Sequence, residues 1–111
     1  DMTVTIGTKG SYLMFQDIDL SDVRAIKGRY ALVNGITQGG DIEFRTGGLD
    51  GELISKLKLK VGLTDFKLEE IISPFEKQVS GKQDLYIIFK NDQAKDGDLI
   101  TVLDWFEFLN E

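Results

Sequence analysis

The residues of this chain that could do chemistry are carboxylates, lysines, arginines, hydroxyls and aromatic rings, because histidine and cysteine are both absent. That absence excludes Ser-His-Asp and Cys-His catalysis, imidazole-bound zinc, thiolate metal sites and disulfides within the chain. A bound metal would need oxygen ligands, which makes calcium the natural ion. Close carboxylates occur at Glu69 and Glu70 and at Asp96 and Asp98. Two carboxylates run glycoside hydrolysis when they flank a substrate cleft and one is tuned as an acid. A domain of 111 residues offers little room for such a cleft, so the chain is read as non-catalytic. The acidic stretch 91–98 (NDQAKDGD) fails the spacing of a helix-loop-helix calcium loop, whose final Glu would fall near Leu103. It is expected to be a solvated turn. The run 47–51 (GGLDG) lacks the Lys-Ser/Thr ending of a phosphate loop and the helix that follows one.

The chemistry left is recognition, and the composition bounds what is recognised. A net charge of -6 argues against nucleic acid, whose phosphates need clustered Lys and Arg. Apolar runs stay far below the length of a membrane span. The hydrophobic fraction of 41% and charged fraction of 29% suit one packed domain over residues 1–111. The first residues, DMTVTIGTKG, have neither the basic segment nor the apolar core of a signal peptide. The chain reads as mature or as one domain excised from a larger protein.

The elements that must position these groups read as strands. Twelve glycines and one proline punctuate short runs rich in Ile, Leu, Val, Phe and Tyr, the pattern of an all-β sandwich or barrel. Residues 11–18 (SYLMFQDI) form the first clear strand. A second covers 23–33, with Gly28 a bulge or a site of close packing. Residues 34–40 (NGITQGG) are a turn. In 41–46 (DIEFRT), Ile42 and Phe44 share one face and Glu43 and Arg45 the other. Glu43 and Arg45 could hydrogen-bond a ligand's hydroxyls on a sheet surface, or form a solvated cross-strand charge pair. In 52–61, Leu53, Leu57, Leu59 and Val61 are expected on one face, interrupted by Ser55. Lys56, Lys58 and Lys60 lie on the other. Residues 64–72 (TDFKLEEII) suit a short helix or a strand; Pro74 and the neighbouring strands favour a strand. The runs 84–90 and 99–109 are the strongest β signals and complete seven or eight strands.

These last two runs carry a resemblance. The stretch 79–110, VSGKQDLYIIFKNDQAKDGDLITVLDWFEFLN, is similar to the C-terminal half of a family 6 carbohydrate-binding module. Gly81, Asp84, Leu85, Tyr86 and Phe89 match the family's penultimate strand motif. Leu103, Asp104, Trp105, Phe106 and Phe108 match its final one. Upstream, 10–15 (GSYLMF) and 40–45 (GDIEFR) resemble two further family elements in the same order. The likeness spans about residues 5–109.

The resemblance implies a two-sheet antiparallel jelly-roll β-sandwich, galactose-binding-domain-like, that binds a poly- or oligosaccharide beside a catalytic or surface domain. It implies a bacterial protein working outside the cytoplasm: extracellular, at the cell surface or periplasmic. Partners would be the sugar and neighbouring domains of a parent protein. Sugar binding would use aromatic stacking and hydroxyl hydrogen bonds. By resemblance, Phe66 belongs to a site among the loops and Tyr12 to one on the concave sheet face. Trp105 resembles a buried core tryptophan. Asp104 falls where the family's last strand gives a ligand to structural calcium, although the family's N-terminal carboxylate strand is not reproduced here. Two loop-site positions depart from pattern: Ile6 replaces an aromatic residue and Val102 an asparagine. Those departures support a second reading, a structural or interaction module that has lost sugar binding.

Overall fold

The computed structural model describes residues 5–32, 39–59, 67–95 and 97–110. Phe66 and the segment 60–66 lie outside them, as do 33–38 of the expected second strand and turn. Eight strands follow in order: β1 (Thr5–Thr8), β2 (Tyr12–Asp19), β3 (Ala25–Leu32), β4 (Asp41–Thr46), β5 (Glu52–Lys58), β6 (Lys67–Pro74), β7 (Lys82–Lys90) and β8 (Leu99–Leu109). The ambiguous 64–72 region contributes a strand, as its surroundings predict. Its terminal Pro74 lies on the edge of a sheet, where a missing N–H costs least. The short β1 stands before the first run recognised as a strand.

Two antiparallel sheets form the sandwich. The first has the order β1-β8-β3-β6 and the second β2-β7-β4-β5. Consecutive strands alternate between sheets except for the β4–β5 hairpin, which gives the expected jelly-roll winding. Between the sheets lie Ile26, Tyr30, Ile42, Phe44, Leu57, Leu85, Ile87, Phe89 and Phe106, all buried. Phe106 of the first sheet meets Phe44 of the second edge-on, with centroids 6.1 Å apart, as the ring quadrupoles favour. Gly28 is a close-packing site: a Cβ there would stand 2.6 Å from Leu57 Cδ1 on the opposite sheet.

Bulges decide which side chains enter this core. Leu103 pairs with Tyr30 and Trp105 with Arg29, so Asp104 is an extra residue in β8. The extra residue reverses the alternation that follows it. Leu103 and Phe106 both point inward, and Trp105 is turned to the outer face of the first sheet. Trp105 is therefore not a core residue, contrary to its resemblance. It is half-buried, with the Lys27 ammonium 5.9 Å from its ring centroid. Ile54 is likewise an extra residue, between Leu53 opposite Arg45 and Ser55 opposite Phe44. Ile54 is buried, and Leu53 joins the lysine face instead of the apolar one. Ser55 also points inward, and its polarity has a use. Its hydroxyl donates to Ser73 Oγ at 2.8 Å, and Ser73 Oγ donates to the Lys56 carbonyl at 2.7 Å. This chain ties β5 to β6, the edges of the two sheets.

Candidate functional site

The exposed side of the second sheet gathers three of the four expected binding residues. Register fixes its rows. Lys90, Asp41 and Lys58 stand in one; Tyr12, Ile88, Glu43 and Lys56 in the next; Met14, Tyr86, Arg45 and Leu53 in the third. Each row crosses strands distant in sequence, because β7 lies between β2 and β4.

Tyr12 is 49% exposed and Met14 41%. Tyr12 and Tyr86 occupy diagonal positions on β2 and β7, with ring centroids 6.1 Å apart and planes inclined by 35°. Together they form an apolar surface with hydroxyl edges. β2 can leave both Tyr12 and Met14 facing outward because Leu13 and Phe15, between and after them, pack on the core. Further along, the register slips between Phe15 and Ile18, and Asp17 takes a left-handed backbone with φ 55°. Its N–H donates to Asp84 Oδ1 at 3.2 Å, which ties this bulge to β7.

The polar half of the face is a linked set of charges. Glu43 is buried to 7% exposure, so it is not part of a solvated pair. Its Oε1 accepts from Arg45 Nε at 3.0 Å and lies 3.6 Å from the Lys90 ammonium. A buried carboxylate needs such partners to offset its lost hydration. The Arg45 contact runs along one strand, from i to i+2, not across strands. Arg45 Nη1 also donates to the Gly51 carbonyl at 2.7 Å, so the guanidinium is held from two directions. Lys56 lies 3.9 Å from Asp41 Oδ2.

A cavity of about 280 Å³ opens beside these charges, lined by Gly40, Asp41, Glu43, Lys56, Lys90, Asn91 and Asp92. Gly40 is required for its shape: φ is 129°, and any Cβ would strike the Lys90 carbonyl. Asn91 holds the rim by donating from Nδ2 to the Gly39 carbonyl at 2.9 Å. A second cavity of about 240 Å³ adjoins it across Lys90 and reaches Lys9, Gly10 and Ile88. The loop expected as a solvated turn forms part of this wall and is tied down. Lys9 Nζ donates to the Ala94 carbonyl at 2.6 Å, and the Lys9 N–H donates to the Asp98 carbonyl at 2.8 Å.

The other expected site residues are placed differently. Phe66 lies outside the described residues. Ile6 and Val102, the departures from the loop-site pattern, are direct register partners on β1 and β8. Asp104 is the extra residue of the β8 bulge, and its side chain is outside the described set. Among the described residues, no three carboxylates converge on a common point. Glu69 and Glu70 are successive residues of β6, facing opposite sides of the first sheet, and Glu70 pairs with Lys27 at 3.2 Å. Asp19, at the end of β2, has its carboxyl held below the usual value by the hydroxyl and N–H of Ser21.

Sequence reasoning missed Tyr86, Met14, Lys56 and Lys90 as parts of the face. Period-two alternation from Tyr12 points to Met14. Nothing local points from Tyr12 to Tyr86, whose adjacency is a fact of strand pairing.

Comparison with known proteins adds to this geometry. The family described as carbohydrate binding module (family 6) matches residues 1–110. A family 6 module from Clostridium cellulolyticum in complex with xylose is 26% identical, with a TM-score of 0.67, covering 92% of this chain and 74% of that one. A β-1,3-glucan-binding module of the family from Bacillus halodurans is 24% identical, with a TM-score of 0.70, covering 92% and 72%. A glycoside hydrolase family 43 arabinoxylan arabinofuranohydrolase from Bacillus subtilis, solved with cellotetraose, has a TM-score of 0.73 at 20% identity. The match covers 97% of this chain and only 21% of the hydrolase. No curated protein matches the sequence.

Proposed function

The chain belongs to family 6 of the carbohydrate-binding modules, and from that premise we propose that it binds a poly- or oligosaccharide on the outer face of its second sheet. The observation that carries this reading is the Tyr12–Tyr86 ring pair, set beside the fixed charges of Glu43 and Arg45. Pyranose C–H faces stack on such rings, and ring hydroxyls meet the flanking donors and acceptors. Affinity per site is on the order of 0.1–1 mM, and tethering to a parent protein strengthens it. That parent is a polysaccharide-acting or surface protein outside the cytoplasm. The likeness to one part of a much longer arabinofuranohydrolase supports this.

The same family premise carries calcium as a structural ion with Asp104 as one ligand. One carboxylate supplies at most two of the six to eight oxygens that calcium takes. The bulge supports a special role for this residue, since it sets Asp104 apart from the β3–β8 ladder.

A second reading has its own observation. Ile72, 57% exposed, and half-buried Trp105 lie on the outer face of the first sheet, where a neighbouring domain could pack. Affinity electrophoresis through xylan, β-1,3-glucan and soluble cellulose derivatives separates the two. Retardation by at least one polymer supports sugar binding. No retardation by any, with no heat of binding at millimolar oligosaccharide, overturns it in favour of an interaction module.

A further inference from the structure

The polar half of the tyrosine face has a charge that neutral sugar binding does not call for. Its three rows carry the cations Lys58, Lys90, Lys56 and Arg45 against the carboxylates Asp41 and Glu43. Within these rows four cations meet two carboxylates, an excess of two, on a chain whose net charge is -6. Asp84 and Asp92 lie at the two ends of the face, and Asp84 is engaged by the Asp17 N–H. At the centre, Arg45 and Lys90 share the single carboxylate of Glu43, so the triad keeps one positive charge.

Arg45 is also prepared to use that charge. Glu43 holds Nε and the Gly51 carbonyl holds Nη1, which fixes the guanidinium at little further entropic cost. A guanidinium has five N–H donors, and these two bonds leave three, the Nη2 pair and one on Nη1, for a ligand. Its register partner on β7 is Tyr86, one half of the ring pair. A planar donor fork next to an aromatic platform matches a sugar ring that bears a carboxylate.

We infer that this face takes an acidic polysaccharide, a polymer of uronic acid residues, with Arg45 meeting the carboxylate and Tyr86 and Tyr12 stacking the ring. Lys56, Lys58 and Lys90 supply the surrounding positive field. The inference rests on the carbohydrate reading above and sharpens it, since the ligands named for similar structures, xylose and cellotetraose, are uncharged.

The test compares polygalacturonate with its fully methyl-esterified form, the same backbone without the charge. On the unsubstituted chain, affinity electrophoresis and calorimetry should show the acid bound about tenfold more tightly than the ester. That preference should shrink at high salt. Arg45→Lys keeps the charge and loses the fork, so the preference should fall to about a few-fold. Equal binding of acid and ester overturns the inference whatever the variant does, and needs no substitution to be read. A folded Arg45→Lys protein that keeps the full preference overturns the role of the fork. Binding of neutral xylan or glucan without polygalacturonate refutes the acidic ligand and leaves the carbohydrate reading standing. Binding of no polysaccharide at all refutes both.

Discussion

The rings of Tyr12 and Tyr86 meet from strands that are seventy-four positions apart in the chain, with centroids at 6.1 Å and planes tilted by 35°. Neither ring belongs to the core cluster. Tyr12→Ala and Tyr86→Ala should each weaken polysaccharide binding by about five- to tenfold, the usual worth of an aromatic contact. Tyr12→Ala should leave thermal stability nearly unchanged, because the side chain is half exposed. Calorimetric titration and a melting curve on each variant check both halves.

Gly28 and Leu57 set the separation of the two sheets at one point. Gly28→Ala should destabilise the domain by about 1–3 kcal/mol, the range for overpacking a filled core. Leu57→Val in the same chain should recover part of the loss, because Leu57 Cδ1 is the atom struck. Urea unfolding of both variants measures this. Equal stability of Gly28→Ala and the parent would contradict the packing account.

The hydroxyl chain between sheet edges makes an ordered prediction. Ser55→Ala removes one donor and should cost about 1 kcal/mol. Ser73→Ala should cost more, about 2 kcal/mol, because it deprives the Lys56 carbonyl and leaves the Ser55 hydroxyl only the longer contacts to the Ser73 and Pro74 carbonyls, at 3.2 and 3.3 Å. Denaturant midpoints that rank the two variants in the opposite order would refute the direction of donation.

Asp19 predicts a pH dependence. Its folded carboxyl lies below the ordinary value of 3.8, held there chiefly by the Ser21 hydroxyl and N–H. The ionised form is therefore favoured in the fold. Its contribution is complete above 3.8 and is lost as pH falls through the lowered folded value. Ser21→Ala should lower stability at neutral pH, and the gap to the parent should narrow in strong acid to the part due to the lost Gly81 N–H bond to Ser21 Oγ. A gap independent of pH would show that the linkage is absent.

Calcium bound to the native state must raise its melting temperature. Adding a chelator should therefore lower the melting temperature of the calcium-loaded chain, and Asp104→Asn should abolish that sensitivity. An unchanged melting curve with chelator excludes a stabilising calcium ion.

The sequence by itself determined the all-β class, the positions of most strands and the family. These are local properties: alternation with period two, glycine punctuation and short motifs in order. The 41–46 strand reads correctly from six residues, with Ile42 and Phe44 inward and Glu43 and Arg45 outward. The 99–109 run and the described part of 52–61, Glu52–Lys58, read correctly as strands and incorrectly as faces. Ile54 and Asp104 are bulge residues, and one extra residue reverses every side chain beyond it. That reversal put Trp105 outside, and no feature of 99–109 marks it in advance. Tertiary structure alone decided the site. Placing β7 between β2 and β4 joins Tyr12, Tyr86 and Arg45 on one face, and pairing of distant strands is not encoded in the spacing within any of them.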